Sequence, residues 1–240
     1  DYLEAPVPDA SNPLLPPLTA TGPQYLPYSH RIQPLKFMIP TFDRHDDTVP
    51  TLVTIRMTVD GTKDDINYQY EKVTPLNPPP PIPMTLHLAS RNTPGLRKIS
   101  YFFSFGPNEA DVEELQYMVD FEPPALDQLI TVPQSVKDYG IGPEDFEGDA
   151  TVPLTYPDYS NKRLGDTIKC YIGPNSTVNR EVGSITLNEG NFSNPLVFNL
   201  TAAHVTGYNG EYIVFCQAVS YSGVSATPSG NTEVWVSQKR

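Results

Sequence analysis

Apolar and polar residues alternate at every second position along several stretches of the chain. The stretches are 54–59, 84–88 and 99–105 in the first half and 168–172 and 212–218 in the second. Pairs of turn-forming residues lie beside them: Asp60-Gly61, Gly106-Pro107, Gly173-Pro174 and Asn209-Gly210. A period of two is typical of a half-buried strand, and short strands between tight turns are typical of antiparallel β-sandwiches. The pattern therefore predicts an all-β chain.

Proline makes long helices unexpected. The chain contains 27 Pro among its 240 residues, and a proline inside a helix removes a hydrogen-bond donor and clashes with the preceding turn. One polar stretch, 108–114, has a composition that suits a helix, but it is short. We therefore predict strands and loops almost throughout.

The two halves of the chain match each other in a fixed order. Pro40-Thr41-Phe42 matches Pro157-Asp158-Tyr159, which lies 117 positions later, and Ile55 matches Ile168, 113 positions later. The offset changes in the loop between these segments, where insertions are tolerated.

This series of matches predicts two tandem immunoglobulin-like antiparallel β-sandwiches. The first covers residues 1–122, with a Pro-rich leading segment at 1–24, and the second covers 123–240. Two unrelated sandwiches that share only their turn spacing are the alternative.

The second half also carries the turns and strands of a known kind of repeat. In chain order they are Tyr156-Pro157, Gly165-Asp166-Thr167-Ile168, Gly173, Glu181-Val182-Gly183-Ser184, Asn194-Pro195, Gly210-Glu211-Tyr212 and Val234-Trp235-Val236. This half resembles the immunoglobulin-like tandem repeats of very large surface or adhesin-type proteins of Gram-negative bacteria. The first half matches less well, because Val49-Pro50 stands where the second has Gly165-Asp166. The resemblance implies a spacer or display role and brings no catalytic residues.

The charge of the chain excludes some partners. The formal net charge is −12, so nucleic acid would be repelled and an anionic membrane surface is disfavoured. The apolar runs are much shorter than the roughly 18 residues of a membrane helix. We therefore expect no nucleic-acid partner and no membrane insertion by this segment. The chain begins with Asp1 rather than Met, and we expect it to be part of a larger protein.

The two cysteines, Cys170 and Cys216, fall on the predicted core-facing side of their strands. Their counterparts Met57 and Phe103, both 113 positions earlier, are apolar, so we expect each pair to be neighbours in space. A disulfide is one expectation, because two cysteines in an exported chain usually pair and the bridge would add about 3–4 kcal/mol. Two free buried thiols are the other, because the predicted strands adjoin within one sheet whereas the familiar immunoglobulin bridge joins two sheets.

Acidic clusters are the candidates for calcium binding, which requires several oxygen ligands. The cluster that precedes a predicted strand is Glu144, Asp145, Glu147 and Asp149, and the others are Asp43, Asp46 and Asp47, and Asp60, Asp64 and Asp65. None has the spacing of a calcium-binding loop. Solvated surface charge is the simpler interpretation, and we expect no resident metal or cofactor.

No residue pattern indicates catalysis. The chain lacks the G-x-S-x-G and HExxH motifs, and its four histidines are scattered: His30, His45, His87 and His204. We therefore expect that the protein is not an enzyme.

Together these observations predict a non-catalytic spacer in a secreted or surface-displayed protein, which presents a terminal module and contributes to adhesion. Its partners would be neighbouring domains of the parent protein, together with a surface protein or glycan. The alternatives are a carbohydrate- or protein-binding module, or accessory domains of a multidomain extracellular enzyme or toxin. Because Pro123-Pro124 favours extended backbone, we also expect a short stiff junction at 119–150 and sandwiches arranged end to end.

Overall fold

The computed structural model describes residues 3–12, 14–42, 49–63, 69–77, 79–86, 93–110 and 112–238. These residues form mainly antiparallel strands, which confirms the prediction of an all-β sandwich fold. The chain divides into two compact units, Asp1–Phe121 and Glu122–Arg240. None of the described helices is long and apolar enough to span a membrane.

The first unit consists of two sheets. Its strands are β1 (Val7–Pro8), β2 (Gln24–Tyr25), β3 (Leu35–Ile39), β4 (Leu52–Val59), β5 (Thr62–Lys63), β6 (Gln69–Val73), β7 (Ile82–Leu86), β8 (Gly95–Phe105), β9 (Asn108–Glu109) and β10 (Leu115–Val119), with a 3₁₀ helix at Tyr28–His30. One sheet has the order β1-β3-β7, and the other has the order β2-β10-β8-β4, with β5 and β6 on the outer edge of β4.

Alternating residues of both sheets meet in the core of the first unit. The buried side chains include Phe37 of β3, Met84 of β7, Ile55 of β4 and Tyr101 of β8. The polar stretch whose composition suits a helix begins as a short strand instead, because Asn108–Glu109 pairs with the end of β8.

The second unit also has two sheets. Its elements are α1 (Gln134–Tyr139), a 3₁₀ helix at Pro143–Asp149, β11 (Val152–Tyr156), β12 (Thr167–Gly173), β13 (Arg180–Thr186), β14 (Leu196–Leu200), α2 (Ala202–Val205), β15 (Gly210–Val219) and β16 (Thr232–Val236). One sheet pairs β11 with β14, and the other has the order β13-β12-β15-β16. The core between the two sheets contains side chains from both of them, including Leu154 of β11, Phe198 of β14, Ile168 of β12 and Val214 of β15.

Six strands have the same order in both units. They are β3 with β7 and β11 with β14 in the smaller sheets, and β6-β4-β8-β10 and β13-β12-β15-β16 in the larger ones. The first unit adds β1 to its smaller sheet and β2, β5 and β9 to its larger one. The segment before the first of these strands also pairs in the same way. Leu26 N–H donates to the Met118 carbonyl at 2.9 Å, and Ile141 N–H donates to the Trp235 carbonyl at 2.7 Å. In both units this pairing with the last strand is parallel.

Residues 126–141 are part of the second sandwich. Leu126, Ile130, Val136 and Ile141 are buried in its core, because α1 folds this segment back against β16. The predicted junction at 119–150 is therefore wrong over this range.

Candidate functional site

Cys170 and Cys216 lie directly opposite each other on the neighbouring strands β12 and β15. Both side chains have no exposed surface and belong to the core of the second unit. They point inward because each lies two residues from other inward-facing side chains, Ile168 and Ile172 on β12 and Val214 and Ala218 on β15. The pair is thus within one sheet.

The backbone of Cys216 faces away from β12. Its N–H donates to the hydroxyl of Ser229 at 2.8 Å, and its carbonyl accepts the N–H of Ser229 at 2.9 Å. Since both backbone groups of a strand residue point to the same side, Cys170 and Cys216 form a non-hydrogen-bonded pair of the antiparallel ladder. Side chains are closest at such pairs.

Both cysteines are free thiols in the structure. The disulfide that the sequence suggested as one of two states is therefore not formed in it. The hydrogen bond with the Cys216 thiol, followed by burial, raises the pKa of Cys170. Because the thiolate is the nucleophilic form, a thiol in this position is chemically inert.

The acidic residues Glu144, Asp145, Glu147 and Asp149 lie on the 3₁₀ segment Pro143–Asp149. The carboxylate of Asp145 accepts the N–H of Gly142 at 2.8 Å, which fixes the first turn. Across the described segments, no three side chains of His, Cys, Asp or Glu are grouped so that they could hold a metal ion. The arrangement therefore gives no support to calcium binding at these residues.

The other acidic candidates are only partly described. Asp60 accepts a hydrogen bond from Arg97 at 2.8 Å and one from the N–H of Lys98 at 3.0 Å, so it has a structural role at the turn after β4. The remaining members of the two clusters lie outside the described residues: Asp43, Asp46, Asp47, Asp64 and Asp65.

His204 caps the helix α2. Its Nδ1 accepts the N–H of Thr201 at 3.0 Å, which requires the ring nitrogen to be unprotonated. Burial, and then the charge of Arg180, lower the pKa of His204. His30 lies in the 3₁₀ helix of the first unit, and His45 and His87 are outside the described residues.

A buried carboxylate organises the loop between β11 and β12. Asp166 is 1% exposed, and its carboxylate accepts hydrogen bonds from the phenol of Tyr159 at 2.8 Å and from the N–H of Arg163 at 3.1 Å. Burial, followed by the hydrogen bond to Asp166, raises the pKa of Tyr159, so the phenol stays a donor.

The same loop holds the incoming chain. The side chain of Asn161 accepts the N–H of Ala125 at 2.9 Å and donates to the carbonyl of Pro123 at 2.8 Å. The guanidinium of Arg163 donates to the carbonyl of Glu122. The second unit therefore begins at the end of the sandwich formed by this loop.

The last described residues are bound at the opposite end. The amide of Gln238 donates to the carbonyls of Val205 and Tyr208, at 3.2 and 2.9 Å. These two residues lie between β14 and β15, whereas the loop that binds the incoming chain lies between β11 and β12. In the antiparallel ladders Val152 is opposite Leu200 and Tyr156 is opposite Leu196, so the two connections are at opposite ends of the strands.

Two cavities of the second unit are open to solvent. One of about 260 Å³ lies against Thr167, Lys169 and Gln217. Another of about 400 Å³ lies between Pro143, Phe146 and Val205, and Glu147 is the ionisable residue in its wall. Neither brings together a nucleophile, a base and a hydrogen-bonded orienting group, which covalent catalysis requires.

Comparisons with known proteins give weak structural likenesses. No model of a protein family matches the chain, and no curated protein matches it. A solved structure of a Ca²⁺-stabilized adhesin with which an Antarctic bacterium binds ice has 12% identity and a TM-score of 0.43, over 88% of this chain and 46% of that one. A DUF3823 family protein from Bacteroides ovatus has 9% identity and a TM-score of 0.28, over 83% of this chain and 97% of that one.

This chain thus spans less than half the length of the adhesin chain. Both TM-scores are too low to bear on the function of the protein. The sandwich fold rests on the sheets and cores of the two units themselves.

Proposed function

We propose that the chain is a non-catalytic spacer of a secreted or surface-displayed protein, built from two immunoglobulin-like sandwich repeats. The observation that carries the proposal is the position of the chain ends in the second unit, where the incoming segment is bound at one end and the outgoing segment at the other. A unit of this kind separates whatever precedes it from whatever follows it by the length of its strands.

The first unit supports the same role. The carbonyl of Leu3 accepts the N–H of Glu113, just before β10 begins, at 2.8 Å. β10 then runs to Val119, which pairs with the first residue of β8. The chain therefore arrives near the start of β10 and leaves after its end. The shared strand order supports a repeat relationship between the units.

Parallel pairing at the chain ends suits a segment under tension. In the second unit the Ile141 N–H binds the Trp235 carbonyl at 2.7 Å, and the Ser237 N–H binds the Ile141 carbonyl at 2.9 Å. The segment at Ile141 runs parallel to β16. Once the residues before it have detached from Asn161 and Thr155, pulling the ends of the unit apart therefore slides this segment along β16. The load then falls on these hydrogen bonds together rather than on one at a time.

Stretching single molecules of the whole chain from its two ends tests the proposal. We expect two separate unfolding events, each releasing roughly 400 Å of chain for about 120 residues. Ile141→Pro removes the N–H that binds Trp235, so it should lower the force of one event only. Ile141→Ala loses buried side chain but keeps the N–H, and is the control for general destabilisation. Gradual extension without distinct events would contradict the proposal.

A second candidate, carbohydrate binding, is favoured by two exposed aromatic side chains of the second unit. Tyr139 at the end of α1 is 71% exposed and Trp235 on β16 is 52% exposed. The residue after Tyr139, Gly140, packs against the backbone of Trp235. Aromatic rings with a polar edge are suited to stacking on sugars.

A glycan array with the whole chain tests this second function. If the aromatic pair binds sugar, Trp235→Ala should abolish the signal, whereas Val178→Ala, at a 59% exposed apolar residue, should leave it unchanged. An array without signal, or one that Trp235→Ala does not alter, would exclude this site and leave the spacer function.

A further inference from the structure

The positions of Cys170 and Cys216 match the geometry of a disulfide. A non-hydrogen-bonded pair of antiparallel strands has its Cα atoms about 4.5 Å apart, and disulfides join Cα atoms about 4.4–6.8 Å apart. Both side chains lie on the same, inward face of one sheet. The sulfurs can therefore bond without a change in strand pairing.

The strand on the other side of Cys170 places no side chain directly beside it. Cys170 is opposite Gly183 of β13, which has no side chain, and the register of the two strands shifts between Cys170 and Tyr171. Such a bulge increases the local twist and redirects the side chain beside it. A Cβ added to Gly183 would make only an ordinary contact, 3.5 Å from Phe198.

The folded sheet excludes oxidants from both sulfurs. Neither cysteine has exposed surface, and thiol–disulfide exchange requires an accessible thiolate. Burial and the contact between the two thiols also suppress ionisation of Cys170. Two thiols that are still reduced in the folded state are thus protected from oxidation. The disulfide must therefore form before β12 and β15 are buried in the core.

We propose that Cys170 and Cys216 form a disulfide within one sheet when the chain folds in the presence of a small disulfide oxidant, and that the folded dithiol no longer reacts. One protein thiolate attacks the oxidant disulfide and releases one oxidant thiol, and the second attacks the resulting mixed disulfide and releases the other. Two protein thiols and one oxidant disulfide thereby become one protein disulfide and two oxidant thiols. The proposal is independent of the spacer function.

Refolding of the reduced, denatured chain tests the first part. Refolded with oxidised glutathione, the chain should lose about 2 Da and accept no alkylating reagent after a second denaturation. Refolded with a dithiol reductant, it should accept two alkyl groups. Circular dichroism in both samples establishes that both have folded. Two free thiols or a glutathione adduct in the folded, oxidant-treated chain would overturn the disulfide.

The second part uses the folded, reduced chain. Incubated with the same glutathione but without denaturant, it should keep both thiols over the time in which the refolding sample is fully oxidised. Oxidation at a similar rate would overturn the protection. Cys170→Ser, which leaves one thiol, should show no loss of about 2 Da when it is refolded with the oxidant, and identical mass changes in this variant and the unmodified chain would contradict pairing.

Discussion

The phenol of Tyr159 donates a 2.8 Å hydrogen bond to Asp166, a carboxylate that is only 1% exposed, within the loop that receives the incoming chain. A buried charge depends on each of its donors, since water does not replace them. This pair therefore connects the stability of the second unit to the end at which the chain enters it.

Tyr159→Phe removes this donor while keeping the ring in the core. We expect the free energy of unfolding of the second unit to fall by about 2 kcal/mol, the usual range for a hydrogen bond to a charged group. Urea denaturation monitored by fluorescence measures it. Tyr171→Phe, on the outer face of β12, is the control and should change the stability by less than about 0.5 kcal/mol. Equal effects of the two substitutions would mean that Asp166 does not depend on Tyr159.

Asn161 provides a second test of the same loop. Asn161→Gly removes both hydrogen bonds to the segment Pro123–Ala125 but suits the positive φ of 52° at this position. Asn161→Ala removes them and adds backbone strain. We expect losses of about 2 kcal/mol for Gly, at about 1 kcal/mol for each hydrogen bond, and about 1 kcal/mol more for Ala.

Thermal unfolding of both variants decides this prediction. It is contradicted if Asn161→Gly is as stable as the unmodified chain, because the two hydrogen bonds would then contribute nothing. Proteolysis adds a local readout, since residues 122–125 should be cleaved faster in both variants.

Period-two alternation predicted the principal strands but could not fix their register. In the structure Met57 is opposite Tyr101, and Cys170 is opposite Cys216. If Met57 is the counterpart of Cys170, the counterpart of Cys216 is Tyr101 rather than Phe103, so that part of the sequence match was wrong. If one strand is shifted by two residues against its neighbour, every side chain stays on the same face of the sheet. The hydrophobic pattern therefore cannot distinguish the two registers.

The sequence did not predict which segments pair with the last strand of each unit, and the reason is a different one. The contacts are made at Leu26 and Ile141 over one or two residues each, which is too short for any periodicity. Gly140 and Pro143 beside Ile141 are turn signals that a loop would also carry. The same limit applies to the thiols: sequence matching suggested that they are neighbours, but their oxidation state depends on the conditions of folding.

His204 makes the stability of the second unit depend on pH. Because the pKa of His204 is lowered in the folded state, the unfolded chain binds the proton more tightly. The stabilisation that neutral His204 contributes is fully present above the unfolded pKa of about 6.5. It is lost as the pH falls from that value to the lower pKa of the folded state. Melting temperatures between pH 8 and pH 5 measure the effect, and His204→Gln, which does not titrate, should show a smaller decrease. Equal decreases would assign the pH dependence to the carboxylates.

Gly140 ends α1 where the helix meets β16, and its substitution separates two effects. It has a φ of 76°, and a Cβ added there would lie 2.7 Å from the carbonyl oxygen of Trp235. Gly207 has a similar φ of 80° but nothing within 4 Å of an added Cβ, so Gly207→Ala measures the strain of a positive φ without a steric contact. We expect a loss of about 1 kcal/mol for Gly207→Ala and about 3 kcal/mol for Gly140→Ala, because the added methyl group forces α1 away from β16. The displacement should also break the hydrogen bond from Ile141 to Trp235, since Ile141 is the next residue in the chain.

Amide hydrogen exchange can observe this directly: the Ile141 amide should exchange faster in Gly140→Ala and at an unchanged rate in Gly207→Ala. Equal stability losses and an unaltered Ile141 amide would show that β16 accommodates the methyl group, and that the close approach of α1 is not needed to hold the incoming chain against the last strand.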